Sequence, residues 1–475
     1  SMLGKHSLVY FLFKSFPAIL TLVGLSVFTR LLSPGEYGVY SLTIIVVGFL
    51  NTVFLQWVAL GVGRYLPECS DDQARARLLG TARAISFLVS LVIIFVTFLL
   101  WEWREEIGFS ILYYMVGFLC LAQAWHDLNL KIQNAILQPL TYGKMLLIKG
   151  AGSFFIGVLL VYFGFGVDGL LLGTLVSLVL ATIFFQDAWR GVSWALVDKE
   201  QLTRLFAYGA PLTLTFLFAF IVNASDRFFI GAFLGDAAVG VYSVSYDLAQ
   251  YSVGTVASVV HLAAFPLVME KLSKSGLPQT QDQLRKTFIF IFAVVSPAAC
   301  GLAMVAPEIS GSIMGEEFRE GALKIIPLIS LSAFLGALKS FYFDYSFQLA
   351  SATRVQVVTV AVSAVVDVVF NLILIPEFGI VGAAVSSVMA FSSAILISIF
   401  LGRRVFPMPA LPGKDAMKIA LSVLLMAVSV ASFSLESAFF GLVVKVVLGG
   451  GVYLAAMIAL DVSGMRTFLK SKLIR

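Results

Sequence analysis

Charge is what this chain has least of: only 12% of its 475 residues are Asp, Glu, Lys or Arg, while 60% are hydrophobic. A soluble globular chain carries about 25% charged and about 45–50% apolar residues. No soluble fold of this length has interior enough to hide the difference, so an enzyme or binding module free in water is excluded. The class is a polytopic membrane protein. Cysteine is also scarce. Cys69, Cys120 and Cys300 are scattered, two of them in apolar segments, which fits neither a disulfide framework nor a metal site. There is no G-x-x-x-x-G-K-S/T phosphate loop, so the chain has no built-in ATPase. Long polar loops are missing as well. The longest outer loop, about Pro307–Gly321, is smaller than the extramembrane region a membrane glycosyltransferase or ligase needs, and no acid/base pair sits in a pocket-sized loop. The sequence therefore predicts a protein that is not an enzyme. No filter-like segment recurs, which argues against a channel.

What is present is a series of apolar runs, each near the roughly 20 residues that cross a bilayer. They predict an all-α fold of 14 transmembrane helices. Lys and Arg collect in cytoplasmic loops. With the N-terminus inside, 24 of the 32 basic residues fall in inner loops and tails, five fall in outer loops and three lie inside spans. Both termini are thus expected in the cytoplasm. The sequence pI of about 9.0 reads as a topology signal rather than a nucleic-acid footprint.

The chain also repeats itself. Gly38-Val39-Tyr40-Ser41 opens the second span and Gly240-Val241-Tyr242-Ser243 the eighth. Phe165-Gly166-Val167-Asp168-Gly169 separates spans five and six, and Phe378-Gly379-Ile380-Val381-Gly382 separates eleven and twelve. The shared order predicts two six-helix lobes, residues 8–185 and 205–401, joined by a cytoplasmic linker at 186–204. Two further helices at 416–460 form an appendix. Six is even, so the lobes share one orientation, their pseudo-twofold lies along the membrane normal, and a substrate path is expected between them.

Charged residues at membrane depth are costly and usually mark function. In the eleventh span, Gln356, Thr359, Ser363, Asp367 and Asn371 share one helical face, with Asp367 about 18 Å deep at 1.5 Å per residue. In the eighth, Ser243, Asp247, Gln250, Gly254, Ser258 and His261 form a second stripe, with Tyr246 beside it. Both are read as lining one wet cavity, the alternative being a polar seam between packed helices. Lys14 in the first span could hold an anionic head group or snorkel to the interface. Lys339 and Lys445 are expected to snorkel. Arg30 and Arg227 end spans one and seven at matching places, as anion contacts or as partners of Glu36 and Asp226; Asn223 lies one turn before Arg227. His261 could carry a proton or sit at the interface. Gln123, His126, Asp127 and Asn129 crowd one end of span four, as an interfacial belt or a site. Phe341-Tyr342-Phe343-Asp344-Tyr345 reads mostly as belt.

The stretch Arg30-Leu31-Leu32-Ser33-Pro34-Gly35-Glu36-Tyr37-Gly38-Val39-Tyr40-Ser41-Leu42 resembles the first-loop motif of Wzx-type lipid-linked oligosaccharide flippases. Ser225-Asp226-Arg227-Phe228 with Gly240-Val241-Tyr242-Ser243 resembles its repeat. Asn371-Leu372-Ile373-Leu374-Ile375-Pro376 with Phe378-Gly379-Ile380 is similar to that family's span eleven–twelve junction. The likeness covers roughly residues 10–400 and extends to the superfamily that includes MATE exporters and the lipid II flippase. It implies two lobes alternating in access, in a bacterial inner membrane. The implied substrate is undecaprenyl-pyrophosphate carrying a sugar repeat unit, moved to the periplasmic leaflet for surface polysaccharide assembly. On this reading Lys14, Arg30, Arg227, Asn223, Tyr246, Gln250 and Asn371 are substrate candidates, and Asp247, Asp367 and His261 are candidates for coupling to H+ or Na+. Membrane lipids and the polysaccharide polymerase machinery are the implied partners, with no cofactor, metal or nucleic acid. The alternative is a MATE-like cation-coupled exporter of small amphiphiles.

Overall fold

The computed structural model describes residues 19–103, 113–192 and 197–464. Among them every regular element is helical. Ten stretches are long and apolar enough to cross a membrane, and a shorter apolar helix, Ile19–Leu31 (α1), precedes them. The hydrocarbon core offers no water to backbone N–H and C=O groups, so a spanning chain must close its hydrogen bonds within its own helices. The chain is a multi-pass membrane protein. By its contacts it divides into two units, Ser1–Ser243 and Val244–Arg475.

The first unit holds α2 (Pro34–Phe54), α3 (Gln56–Tyr65), α4 (Asp72–Leu100), α5 (Val116–Ala135), α6 (Pro139–Leu160), α7 (Gly166–Ile183), α8 (Lys199–Leu234) and the start of α9 (Asp236–Ala249). The Ser33-Pro34-Gly35-Glu36 motif is a helix start. Ser33 Oγ accepts from the Glu36 amide at 3.3 Å while Glu36 accepts from the Ser33 amide at 2.9 Å, a capping box with Pro34 in the first turn. The two Gly-Val-Tyr-Ser copies then meet each other. A Cβ on Gly38 would run into the Asp236 carbonyl and one on Gly240 into the Pro34 carbonyl. One turn on, the Ser41 and Ser243 hydroxyls are hydrogen-bonded at 2.6 Å. The repeat is thus a close helix crossing that requires two glycines.

The second repeat sets hairpins. Gly166 (φ 52°, ψ −136°) and Gly379 (φ 60°, ψ −140°) share a backbone conformation open to glycine. Three residues later, Gly169 and Gly382 lie where a Cβ would crowd the helix just left, at Leu160 and Leu374. The long apolar stretch Pro139–Ile183 therefore folds back on itself as α6 and α7. The segment after α7 is pinned to this unit. Trp189 stacks on Trp125 at 4.7 Å and donates to Asn129 Oδ1 at 2.8 Å. Arg75 and Arg83 donate to the Ala188 and Val192 carbonyls at 3.1 and 2.9 Å.

The second unit holds α10 (Thr255–Lys274), α11 (Leu277–Met304), α12 (Ala306–Ile313), α13 (Glu316–Leu338), α14 (Tyr345–Leu349), α15 (Thr353–Phe378), α16 (Ile380–Val405), α17 (Gly413–Ala431) and α18 (Ala438–Ala459). Gln250–Gly254, between α9 and α10, and Lys339–Phe343, after α13, are π turns, a local widening often found at functional positions. Helices α17 and α18 pair with each other and pack on α11 and α12. Lys445 corrects an expectation here. It does not snorkel; its ammonium lies 2.6 Å from Glu308 Oε1, with 9% and 11% of the two side chains exposed. Tyr453 adds a hydrogen bond to the Ala293 carbonyl at 2.6 Å.

Lys339 is corrected in the same way. It pairs with Asp344 Oδ2 at 2.8 Å, and Asp344 also accepts from Gln356 at 3.2 Å and Ser398 at 3.1 Å. Tyr342 and Tyr345 are fully buried, so the 341–345 stretch is core rather than belt. A buried charge needs a partner and further hydrogen bonds. Both lysines find theirs on residues distant in sequence or across a helix break.

Candidate functional site

The first unit encloses a cavity of about 530 Å³, well within the range of small-molecule sites. Its polar wall comes mainly from α5, where Gln123, Asp127, Lys131 and Asn134 recur at helical spacing and present one face. Asn51, Thr52, Leu55 and Gln56 also line it, where the chain breaks between α2 and α3. Tyr142 and Phe220 contribute aromatic surface.

The centre of the wall is Asp127. Its Oδ2 accepts from Asn51 Nδ2 at 2.9 Å and its Oδ1 from Gln123 Nε2 at 2.7 Å. Behind it, Lys149 Nζ donates to Gln123 Oε1 at 3.1 Å and His126 Nδ1 lies 3.4 Å from Asp127 Oδ1. About a third of the Asp127 side chain (35%) stays accessible. The carboxylate is thus held in place and still open. The crowd at the end of span four separates into two kinds. His126 and Asn129 are fully buried, and Asn129 is committed to Trp189 and the Trp125 carbonyl. Gln123 and Asp127 face the cavity.

The sequence-selected residues fall in several places. Lys14 lies outside the described residues. Arg30 is exposed at the end of α1. On α8, Arg227 is 4% exposed and donates to the Asn223 carbonyl at 3.0 Å and Ser243 Oγ at 3.2 Å. Its guanidinium lies 3.8 Å from Asp226 and 5.8 Å from the Tyr242 ring. Tyr242 in turn donates to Asp226. Arg227, Asn223 and Ser243 are therefore one cluster, with the Asp226 pairing present.

In the second unit, Asp367 and Asn371 are fully buried on α15 and joined by a 3.1 Å hydrogen bond. Thr359 and Ser363 on the same face bond back to their own helix. The polar stripe is the packed side of α15, while Val358, Val365 and Val369 are exposed. In this conformation it forms a buried seam, not a wetted wall. Tyr246 is buried and Gln250 exposed, flanking Asp247. His261 Nδ1 is 2.7 Å from the Tyr345 hydroxyl, and its ring stacks on Phe341 at 4.8 Å. From the sequence Gln123 and Asp127 read as belt or site; Asn51, Lys131, Asn134 and Lys149 were not singled out, although the 4, 4, 3 spacing of Gln123, Asp127, Lys131 and Asn134 was a readable signal. Their convergence with α2 was not.

On the other side of α2 lies an apolar groove of about 750 Å³, formed by Val46, Phe49 and Leu50 with Leu88, Val92 and Val96 of α4. One helix thus separates a polar cavity from a lipid-like surface.

Comparison with known proteins bears on this geometry. Residues 27–323 match a family described as polysaccharide biosynthesis protein. The Haloferax volcanii protein named "Probable low-salt glycan biosynthesis flippase Agl15" is 22% identical over 402 residues, covering 82% of this chain and 81% of that one. Among solved structures, the lipid II flippase MurJ in an inward closed conformation superposes with a TM-score of 0.82 at 15% identity, over 98% of this chain and all of that one. An inward-facing multidrug resistance MATE transporter of the MOP superfamily gives 0.62 at 14% identity, over 82% of this chain and 94% of that one. The fold is that of these transporters.

Proposed function

Because the chain belongs to the polysaccharide biosynthesis protein family, we propose that it is a flippase that carries a lipid-linked oligosaccharide across the membrane. The observation that carries this reading is α2, with a polar cavity on one face and an apolar groove on another. An amphiphile with a glycan head and a polyprenyl tail suits both surfaces at once. The head would leave water for hydrogen-bonding groups, while the tail stays in an apolar medium and sacrifices little hydrophobic free energy. The name of the Haloferax relative, a probable glycan biosynthesis flippase, supports the substrate class.

In full, the proposal is a 14-helix protein of the bacterial inner membrane, termini in the cytoplasm. Its two six-helix lobes, 8–185 and 205–401, are joined by the linker 186–204 and followed by the pair at 416–460. It would move undecaprenyl-pyrophosphate-linked repeat units outward by alternating access. Lys14, Arg30 and Arg227 are assigned to the pyrophosphate. Asn223, Tyr246, Gln250 and Asn371 are assigned to the substrate, and Asp247, Asp367 and His261 to H+ or Na+ coupling. A null strain is expected to accumulate lipid-linked repeat units on the cytoplasmic leaflet, read by leaflet-selective oxidation or enzymatic labelling. Normal surface polysaccharide in that strain overturns the proposal. An altered drug-resistance profile with no polysaccharide phenotype would favour the amphiphile exporter.

A further inference from the structure

We propose that the Asp127 cavity of the first unit is a polyol subsite, which takes the saccharide of the substrate and not its pyrophosphate, with Asp127 as its specificity-determining residue. The inference rests on the flippase reading and deepens it. Asp127 is the carboxylate on the wall of this cavity. Its Oδ2 accepts from Asn51, and its Oδ1 accepts from Gln123 with His126 Nδ1 a longer 3.4 Å away, while a carboxylate has about four acceptor positions in all. Capacity therefore remains, most of it on Oδ2, and the two amides keep the group from rotating away.

Sugar hydroxyls donate and accept at once, and two neighbouring hydroxyls can donate to the two oxygens of one carboxylate. Gln56 of α3 and Asn134 of α5, both on the cavity lining, each offer a donor and an acceptor. Neither makes a side-chain hydrogen bond of its own among the described residues, so both are available to a ligand. Phe220 and Tyr142 give apolar surface for the C–H face of a ring.

The charge pattern points the same way. The wall carries both signs, the Asp127 carboxylate and the Lys131 side chain, so a pyrophosphate placed here would meet no excess of positive charge, whereas a neutral polyol gains a charged acceptor, whose hydrogen bonds are stronger than neutral ones. Lys149 approaches Asp127 only through Gln123, an arrangement that holds the amide while leaving the carboxylate open.

The test uses the full chain in nanodiscs and two probes: polyprenyl pyrophosphate, and the same lipid carrying a neutral disaccharide. Affinities are measured by native mass spectrometry. Asp127→Asn keeps shape and removes charge. It is expected to weaken binding of the glycosylated lipid at least tenfold and to leave the bare pyrophosphate lipid unchanged. Asn134→Ala, at a side chain with no internal hydrogen bond, should weaken the glycosylated lipid about threefold with the same selectivity. Equal losses on both lipids in either variant, or wild-type affinity of both variants for the glycosylated lipid, overturn the subsite and leave the flippase reading standing. A wild-type protein that binds neither lipid overturns both.

Discussion

The buried pair Lys445–Glu308 holds α18 against α12 and can be broken one partner at a time. At 2.6 Å, with about a tenth of each side chain exposed, the two charges compensate each other. Among the described residues Glu308 Oε2 has no hydrogen-bond partner, so Lys445 is the charge that compensates this carboxylate there. Removing one partner of such a pair costs about 3–5 kcal/mol, because an unpaired charge stays buried, while replacing both with apolar groups is often neutral. Lys445→Met is therefore expected to destabilise by that amount, and Lys445→Met with Glu308→Leu to recover most of it. For a unit of this size each kcal/mol shifts the melting temperature by about 2–4 °C. Lys445→Met should melt about 6–20 °C below wild type, and the double variant close to it. The measurement is thermal unfolding of the purified protein in one detergent, with all four members of the cycle side by side. A Lys445→Met protein that melts with wild type refutes the reasoning, since the ammonium would then be satisfied by snorkelling to the interface. A double variant as unstable as the single one refutes the charge argument and leaves only packing.

Other consequences are equally direct. Gly38→Ala places a methyl group on the Asp236 carbonyl and should cost at least the roughly 1–3 kcal/mol of overpacking; an unchanged melting temperature would mean that α2 and α9 do not cross there. Trp189→Phe leaves buried Asn129 Oδ1 without its 2.8 Å donor, a loss of about 1–3 kcal/mol, seen as earlier proteolysis of the 186–204 segment; an unchanged cleavage rate would contradict the pinning. Burial pushes the Cys69 thiol up, with Arg204 and Arg75 opposing less than desolvation adds. With Cys120 and Cys300 replaced by alanine, its maleimide reactivity should rise with pH about a midpoint above the ~8.5 of a free thiol; a midpoint at or below that value contradicts the burial. If Asp367 couples an ion, Asp367→Asn should abolish translocation while the protein still folds and binds the glycosylated lipid; full complementation would return Asp367 to a purely structural role.

Much of the fold was legible because membrane insertion is decided locally. Twenty consecutive apolar residues make a spanning helix whatever surrounds them, and basic residues between the runs carry an orientation. The recurring Gly-Val-Tyr-Ser and Phe-Gly-x-x-Gly segments were visible as repeats for a related reason. A glycine at a crossing or a reversal is a local backbone requirement, and it leaves a local trace.

Partnership was not legible. Lys339 and Lys445 read as snorkelling residues because helical position alone leaves a lysine only the interface. Glu308 comes close to Lys445 only once helices pack, and Asp344 reaches Lys339 only because the chain makes a π turn between them. The α15 stripe shows the same limit: its periodicity gives a polar face, but whether that face meets water or α16 depends on a neighbour. Asp127 was one candidate in a crowded helix end until α2 brought Asn51 to 2.9 Å from it. The sequence by itself determined that the chain is a bundle of membrane helices with two glycine-marked repeats, because those properties reside in contiguous residues. Only the tertiary structure decided which charges are paired and which open on a cavity, because the energy of a charge in a low-dielectric interior is set by groups a few ångströms away in space, whatever their separation along the chain.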